Sequence, residues 1–163
     1  MKIKEDLLRY SSNDEIEYKK IFIELGFFVA VLHRLSSWFS KSRSPIKHIG
    51  SLVELVMQIF TGCHISKKAS IGSGIKFPHP TGIVIGERAL IGLGVTIYQN
   101  VTIGQKNSIY PEVGDGVVIY PGAVIVGDIK IGSGSVIGPN CVVYKDTLPG
   151  SVIVSGGRIS NEG

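Results

Sequence analysis

The stretch at residues 85–104 decides the fold, because it reads IGERAL, IGLGVT, IYQNVT and IG when it is divided every six residues. Every group opens with isoleucine. The same spacing extends in both directions, from Ile65 to Leu148, as thirteen hexads whose first residue is Ile, Val or Phe. A two-residue addition after Gly82 and a four-residue insertion at 109–112 interrupt it, and the register recovers after both. This periodicity indicates a repeat architecture.

Each hexad describes a short strand followed by a corner. The first residue faces inward, a glycine or asparagine permits the turn, and the fifth residue, usually small or β-branched, also faces inward. These fifth positions are Ala69, Thr81, Ala89, Val95, Val101, Val117, Ala123, Ser135 and Cys141. Three strands close one coil of about 18 residues, and coils stack at the strand spacing of about 4.7–4.9 Å. The repeat therefore predicts a mostly β protein built as a parallel β-helix.

The glycines divide the chain into two unlike segments. Of 21 glycines, only Gly26 and Gly50 precede residue 61. A glycine inside a helix costs roughly 0.5–1 kcal/mol relative to alanine, so the glycine-rich part is not helical. We expect a short helical N-terminal region at 1–61, the β-helix at 62–155 and a C-terminal tail at 156–163.

Two amphipathic stretches predict helices in the first segment. Apolar residues recur three and four positions apart from Asn13 or Asp14 to about Phe39, and again from Ile46 to Phe60. We interpret them as a helical hairpin that packs on the rest of the protein or on a partner. A peripheral membrane contact is the alternative, because aromatic and cationic side chains cluster there. They are Phe27, Phe28, Trp38, Phe39, Lys41, Arg43 and Lys47.

Charge and cysteine content exclude other classes. The 17 Lys and Arg exceed the 13 Asp and Glu by four, and the excess is spread over both segments, which argues against nucleic-acid binding. Cys63 and Cys141 lie apart without CxxC spacing, so we expect reduced thiols. The longest apolar run of the first segment, at 25–32, is far shorter than the roughly 20 residues of a spanning helix, and no signal peptide is evident. We therefore expect a soluble cytoplasmic protein.

Two motifs within the repeat resemble a known family. Residues 79–86 read HPTGIVIG, and residues 97–104 read IYQNVTIG. At this separation they resemble the serine acetyltransferase branch of the hexapeptide acyltransferases. The resemblance implies a left-handed parallel β-helix that transfers an acetyl group from acetyl-CoA to a hydroxyl, with His79 as general base and no metal.

The residues themselves agree with a role for His79. It occupies the outward third place of its hexad, and Pro78 and Pro80 restrict the backbone on both sides. Gln99 holds the same place one coil later, so we expect the two side chains to be neighbours at a substrate-binding surface. A neutral imidazole can take a proton from an alcohol, an effect worth about 10²–10⁴ in rate.

Three departures from the serine acetyltransferase pattern redirect the predicted acceptor. The aspartate that lies 15 residues before the base in that family is His64 here, and the aspartate directly before the base is Pro78. The family's Arg-His pair falls on Ile109 and Tyr110 in a shortened loop. Because the serine-binding groups are largely missing, the sequence resembles relatives that acetylate sugar hydroxyls during surface-polysaccharide assembly.

Two roles stay open for each replacement near the acceptor. Tyr110 either lines the acceptor site or packs the loop against the coil. His64 either hydrogen-bonds His79 or faces solvent.

The resemblance also implies how the donor is bound. The corner at Gly122 and Ala123 matches the family's contact with the pantetheine arm. The family's late cations meet the CoA phosphates, and Lys145 and Arg158 are the candidates for them here, with Lys130 as an alternative. The family's arrangement further implies a homotrimer, in which each site takes His79 from one chain and the loop from the next.

The leading prediction is an acetyl-CoA-dependent O-acetyltransferase that acts on a saccharide or saccharide precursor. Serine is the runner-up acceptor, and N-acetylation of an amino sugar is a further alternative because an amine needs the same base. A γ-type carbonic anhydrase shares the fold but needs three zinc-binding histidines, and the repeat contains only His64 and His79. A non-catalytic β-helix is the last alternative.

Overall fold

In the part of the chain that the structure describes, three helices precede a coil of short strands. The computed structural model describes residues 2–10, 25–42, 45–155 and, as backbone alone, 159–160. The helices are α1 (Ile3–Leu8), α2 (Leu25–Ser40) and α3 (Lys47–Thr61). The strands are β1 (His64–Ile65), β2 (Ser70–Ile71), β3 (Val84–Ile85), β4 (Leu90–Ile91), β5 (Thr96–Ile97), β6 (Thr102–Gly104), β7 (Glu112–Val113), β8 (Val118–Ile119), β9 (Val124–Val126), β10 (Lys130–Ile131), β11 (Val136–Ile137), β12 (Val142–Val143), β13 (Val152–Ile153) and β14 (Ile159–Ser160).

The strands form three sheets that run along the coil. Sheet A contains β1, β3, β6, β9 and β12, sheet B contains β2, β4, β7 and β10, and sheet C contains β5, β8, β11, β13 and β14. All strand pairs are parallel except the antiparallel pair of β13 with β14. Strand β14 lies in the segment that we predicted as a tail. The predicted parallel β-helix is confirmed, with about four turns.

The first residues of the hexads fill the core of the coil. All thirteen are at most 5% exposed, so the predicted inward face is confirmed. They are Ile65, Ile71, Phe77, Ile85, Ile91, Ile97, Ile103, Val113, Ile119, Ile125, Ile131, Ile137 and Val143. Equal positions of successive coils form rows, because neighbouring coils share backbone hydrogen bonds. Each fully buried aliphatic side chain contributes roughly 1.5–3 kcal/mol to the stability of the fold.

The helices lie against the first coil. The predicted beginning of α2, at Asn13 or Asp14, lies outside the described residues, and its end at Ser40 and the bounds of α3 agree with prediction within a residue. The two helices pack against each other, as predicted for a hairpin. In the described ranges, no helix is long and apolar enough to cross a membrane.

The short helix α1 escaped sequence analysis, because six residues contain too few helical periods to be recognised. Its Asp6 is buried and accepts hydrogen bonds from Arg34 of α2 at 3.0 and 3.2 Å. The same carboxylate accepts a bond from the N–H of Ile75 in the coil at 3.1 Å. Asp6 therefore ties α1, α2 and the first coil together.

Candidate active site

The predicted site residues lie at two corners of the coil. We call the corner between sheet C and sheet A the base edge; it consists of residues 77–83, 98–101, 120–123 and 138–141. We call the corner between sheet A and sheet B the loop edge; it consists of residues 66–69, 86–89, 105–111, 127–129 and 144–146. Sheet A separates the two edges.

His79 lies in a short loop that leaves the coil at the base edge. Before the corner, Lys76 pairs with Thr96, an offset of 20 residues, whereas after it β3 pairs with β6 at an offset of 18. Two extra residues must therefore be accommodated within the corner itself. We predicted the addition after Gly82, and this position is wrong. The aliphatic residues fix the register only where each hexad begins, so they do not show where between two hexad starts the extra residues lie.

The loop geometry presents His79 to solvent. The Thr81 N–H donates to the His79 carbonyl at 2.8 Å, which closes a three-residue turn over Pro80. The His79 side chain is exposed. A turn bounded by Pro78 and Pro80 has little backbone freedom, so the imidazole is held out from the coil.

Gln99 aligns with Thr81 and not with His79, which corrects the predicted register. The Asn100 N–H donates to the Thr81 carbonyl at 2.9 Å. Thr81 is exposed, and Ile83 takes the inward position that we had predicted for Thr81. Among the described residues, the Oε1 atom of Gln99 is the one buried side-chain oxygen or nitrogen without a hydrogen-bond partner. A buried acceptor of this kind is available to a ligand.

An aromatic stack continues from His79 along the base edge. The His79 and Tyr98 rings lie 6.3 Å apart at 51°, and the Tyr98 and Tyr120 rings stack at 5.2 Å and 7°. Sequence analysis did not single out the two tyrosines. Each tyrosine follows the isoleucine that opens a hexad, at 97 and at 119. Because equal places in successive coils are neighbours, this repeated Ile-Tyr pair is the sequence pattern that indicates the stack.

Left-handed corners alternate between glycine and asparagine beside this stack. Gly82, Asn100, Gly122 and Asn140 have φ of 64°, 57°, 73° and 55°. A Cβ atom on Gly82 or Gly122 would collide with the amide oxygen of the asparagine in the next coil. The predicted donor corner at Gly122 therefore has a structural reason to be glycine, independent of any ligand.

The donor corner uses its N–H groups within the coil. The Gly122 N–H donates to the Gln99 carbonyl at 3.1 Å, and the N–H of the buried Ala123 donates to the Tyr120 carbonyl at 3.3 Å. The carbonyl of Ala123 accepts from Thr102 at 2.9 Å. Within the described residues this leaves the Gly122 carbonyl open to a ligand.

At the loop edge, a hairpin at 106–109 accommodates the four-residue insertion, so the predicted position at 109–112 is wrong, because Glu112 already pairs with Leu90 in the sheet. Lys106 and Ile109 exchange backbone hydrogen bonds of 3.0 and 3.1 Å, and both turn residues between them, Asn107 and Ser108, have positive φ. The next residue, Tyr110, covers Gly86 so closely that a Cβ there would meet the ring. The half-buried ring packs on the core, as one of its two predicted roles requires.

His64 lies between the two edges, on the outer face of sheet A. It is exposed, and no hydrogen bond joins it to His79 in the described part of the chain. A cleft of about 490 Å³ runs from His64 to the loop edge. Its lining includes Glu54, Gly86, Glu87, Gln105 and Tyr110.

Charged groups lie near Tyr110, both in this cleft and beside it. The Arg88 guanidinium lies 5.9 Å from the centre of the Tyr110 ring. Lys68 donates to Glu87 at 2.9 Å, and this hydrogen bond and charge hold the pKa of Glu87 below its usual range. Arg88 also pairs with Glu87 at 3.7 Å, so both signs of charge lie beside Tyr110 as an exposed ion pair.

The predicted phosphate contacts lie apart from the donor corner. Lys145 is exposed at the loop edge, with its Nζ atom 5.9 Å from the centre of the Tyr144 ring. Arg158 lies outside the described residues. Over the ranges that the structure describes, no three His, Cys, Asp or Glu side chains are grouped to hold a metal ion.

Comparisons with known proteins agree with the fold. The family model "Bacterial transferase hexapeptide (six repeats)" matches residues 110–145. A serine acetyltransferase of Mycobacterium tuberculosis is 38% identical over 138 residues, which is 82% of this chain and 59% of the relative. The soybean serine acetyltransferase apoenzyme superposes with a TM-score of 0.85 at 31% identity, over 97% of this chain and 67% of that one. A serine acetyltransferase in complex with CoA gives a TM-score of 0.87 at 28% identity, over 98% and 68%.

A parallel β-helix of hexads with a histidine held out at one corner defines the class as hexapeptide-repeat transferases. The chain belongs to the bacterial hexapeptide transferase family, and the relatives that it matches are serine acetyltransferases. The predicted polysaccharide branch is not supported by these relatives. The chain spans 36–59% of the length of curated relatives that it matches.

Proposed function

We propose that this chain is the catalytic coil of an acetyl-CoA-dependent O-acetyltransferase whose acceptor is serine. The observation that supports it most is the exposed His79 loop, in a chain of which 97–98% superposes on serine acetyltransferases. This acceptor replaces the saccharide that sequence analysis favoured.

His79 acts as general base in the proposed reaction. Its imidazole takes the proton of the serine hydroxyl while the oxygen attacks the acetyl carbonyl carbon. The bond from that carbon to the CoA sulfur then breaks, and the departing thiolate receives the proton from the imidazolium. The products are O-acetylserine and CoA with its thiol, and base catalysis of this kind contributes about 10²–10⁴ in rate.

The donor lies along the base edge in this proposal. The stacked Tyr98 and Tyr120 rings lead away from His79, and the orphaned Gln99 oxygen and the Gly122 carbonyl can accept hydrogen bonds from the amide groups of the pantetheine arm. Lys145 and Arg158 stay candidates for the CoA phosphates. Because Lys145 lies at the other edge, it would reach the donor from a neighbouring chain.

The proposed assembly is a homotrimer, which the separation of the two edges supports. His79 lies at the base edge, whereas Tyr110 lies at the loop edge on the far side of sheet A. One chain therefore cannot surround an acceptor from both directions. Three copies arranged base edge to loop edge form three equal sites, each closed by His64 and Tyr110 of the next chain.

Serine would be held by groups that replace the family's missing contacts. Arg88 brings a guanidinium to Tyr110, close to the place of the family's Arg-His pair, and a guanidinium binds a carboxylate through two parallel hydrogen bonds. Glu87 pairs with Lys68 at 2.9 Å and with Arg88 at 3.7 Å, so serine would exchange with these partners when its ammonium meets the Glu87 carboxylate. The proposal thus accounts for a serine site without the aspartates and the arginine of the family pattern.

An acceptor panel tests the proposal. Thiol release from acetyl-CoA by the purified protein is measured with serine, threonine, glucose, glucosamine and a nucleotide sugar. We expect release that depends on serine and is weak with the others. Release that depends on a sugar alone would contradict the serine assignment, and CoA binding without any acceptor activity would contradict the transfer reaction.

A further inference from the structure

A second and larger cleft lies between the helices and the first coil, next to the cleft at Tyr110, with which it shares Lys67 and Lys68. Its volume is about 890 Å³, within the range of about 300–1,000 Å³ that small-molecule sites occupy. Residues of α1 and α2 form one wall, and residues 67–71 of the coil form the other. Neither His79 nor Tyr110 contributes to it.

The cleft contains more cations than carboxylates. Five cationic side chains line it, namely Lys2, Arg34, Lys41, Lys67 and Lys68. Three of them have acidic partners, because Arg34 pairs with Asp6, Lys67 with Glu54 and Lys68 with Glu87. Within the described residues, no carboxylate pairs with Lys2 or Lys41, which leaves two positive charges uncompensated.

Two of these cations converge on one carbonyl oxygen. The Lys2 ammonium donates to the Ile71 oxygen at 2.8 Å, and the Arg34 guanidinium donates to the same atom at 2.7 Å. Like charges this close repel unless an anion lies nearby, and Asp6 balances only one of them. Burial lowers the pKa of Lys2, and the charges of Arg34 and Lys41 lower it further. The charge of Asp6 raises this pKa but is the smallest of these effects, so the charge around Lys2 is positive on balance.

The rest of the lining is apolar. Ile3 of α1 and Leu35 and Trp38 of α2 line the space, and the coil contributes Ala69 and Ile71, whose side chains are buried in its core. Trp38 is 66% exposed, an unusual position for the largest apolar side chain. Apolar walls beside an uncompensated pair of lysines suit a ligand that is charged at one end only.

We propose that this cleft binds a small anion with an apolar body, whose phosphate or carboxylate head lies between Lys2 and Lys41 and whose body lies against Leu35 and Trp38. The proposed contacts use neither Lys67 nor Lys68, the two residues that this cleft shares with the cleft at Tyr110. Its ligand class is an amphiphilic anion, because neither the charge nor the apolar wall alone accounts for the lining.

Trp38 provides a specific reporter, since it is the one tryptophan of the chain. The full chain is titrated with octyl phosphate while Trp38 emission is followed, and octanol and inorganic phosphate are titrated separately. We expect saturable binding of octyl phosphate at one site per chain, with the two fragments at least about tenfold weaker. Equal affinity for octanol and octyl phosphate would overturn the proposal.

Charge variants separate the site from general hydrophobic adsorption. The double variant Lys2→Gln with Lys41→Gln should weaken octyl phosphate binding at least about tenfold, and Lys2→Arg with Lys41→Arg should retain it. Lys130→Gln, on the coil far from the helices, is the matched control and should bind as the parent does. Circular dichroism confirms folding of each variant, and unchanged affinity of the folded glutamine double variant would overturn the proposal.

Vesicles distinguish a soluble ligand from a lipid headgroup. Phosphatidylglycerol vesicles are added under the same conditions, and we expect a smaller change in Trp38 emission than octyl phosphate gives at equal phosphate. A response to vesicles without a response to octyl phosphate would overturn the proposal and favour the membrane contact considered in the sequence analysis.

Discussion

His79 owes its position to two prolines and a three-residue turn, not to the packing of its own side chain. The Thr81 N–H bonds the His79 carbonyl, and the ring touches Tyr98. Tyr98 is therefore the one aromatic contact of the proposed base in the described part of the chain. Its stacking on Tyr120 fixes the ring orientation from the other side.

Replacement of Tyr98 tests whether the stack guides the donor. Tyr98→Ala removes an aromatic pair worth about 0.5–1.5 kcal/mol, so we expect the KM for acetyl-CoA to rise about 3- to 10-fold with a smaller change in kcat. Tyr98→Phe keeps the ring and should behave like the parent. Steady-state kinetics at saturating serine measure the difference, and equal KM values in all three proteins would show that the stack does not contact the donor.

At the scale of elements, α2 contacts the coil at positions that tolerate no larger side chain or new charge. Gly26 lies directly over the carbonyl of Phe77, where a Cβ atom would overlap it. His33 is buried and its ring contacts the Ser66 carbonyl at 3.3 Å. Burial, with the charge of Arg34 adding to it, lowers the pKa of His33 to about 4.

The buried His33 predicts a pH-dependent stability. Between pH 6.5, where the unfolded side chain titrates, and about 4, the unfolded chain binds a proton that the folded chain does not bind. Stability from this group is complete above pH 6.5 and is lost as the pH falls towards 4, by about 3 kcal/mol at most. Urea unfolding at steps between pH 7 and 4.5 measures it.

Two variants isolate the contribution of His33. His33→Gln should flatten the pH dependence in this window, whereas the exposed His48→Gln should leave it unchanged. Parallel curves for His33→Gln and the parent would mean that another group is responsible.

For the whole molecule, the sequence predicts the coil well and its irregularities poorly. The hexad starts from Ile65 to Val143 determine the buried rows, because an aliphatic residue every six positions must face the same core. Between Phe77 and Gly82 nothing in the apolar pattern marks which residues leave the coil, so the register of Gln99 was misjudged. The apolar pattern likewise does not show that His79 and Tyr110 lie at different corners of the coil, the base edge and the loop edge.

Complementation between chains tests the trimer. His79→Ala removes the base, and Arg88→Glu reverses the charge beside Tyr110, so each variant alone should have little activity with serine. If each site takes His79 and Arg88 from different chains, an equal mixture refolded together should regain about a quarter of the parent activity. Activity of the mixture no greater than the average of the two variants would mean that both residues serve one site within a chain.

The most direct measurement is the initial rate of thiol release from acetyl-CoA with serine, for the parent, His79→Ala and His48→Ala. His48 is an exposed histidine on α3 and serves as the matched control. We predict a serine-dependent rate that is the same for the parent and His48→Ala and about 10²–10⁴ lower for His79→Ala. A His79→Ala protein that releases thiol as fast as the parent would contradict the assignment of His79 as the general base.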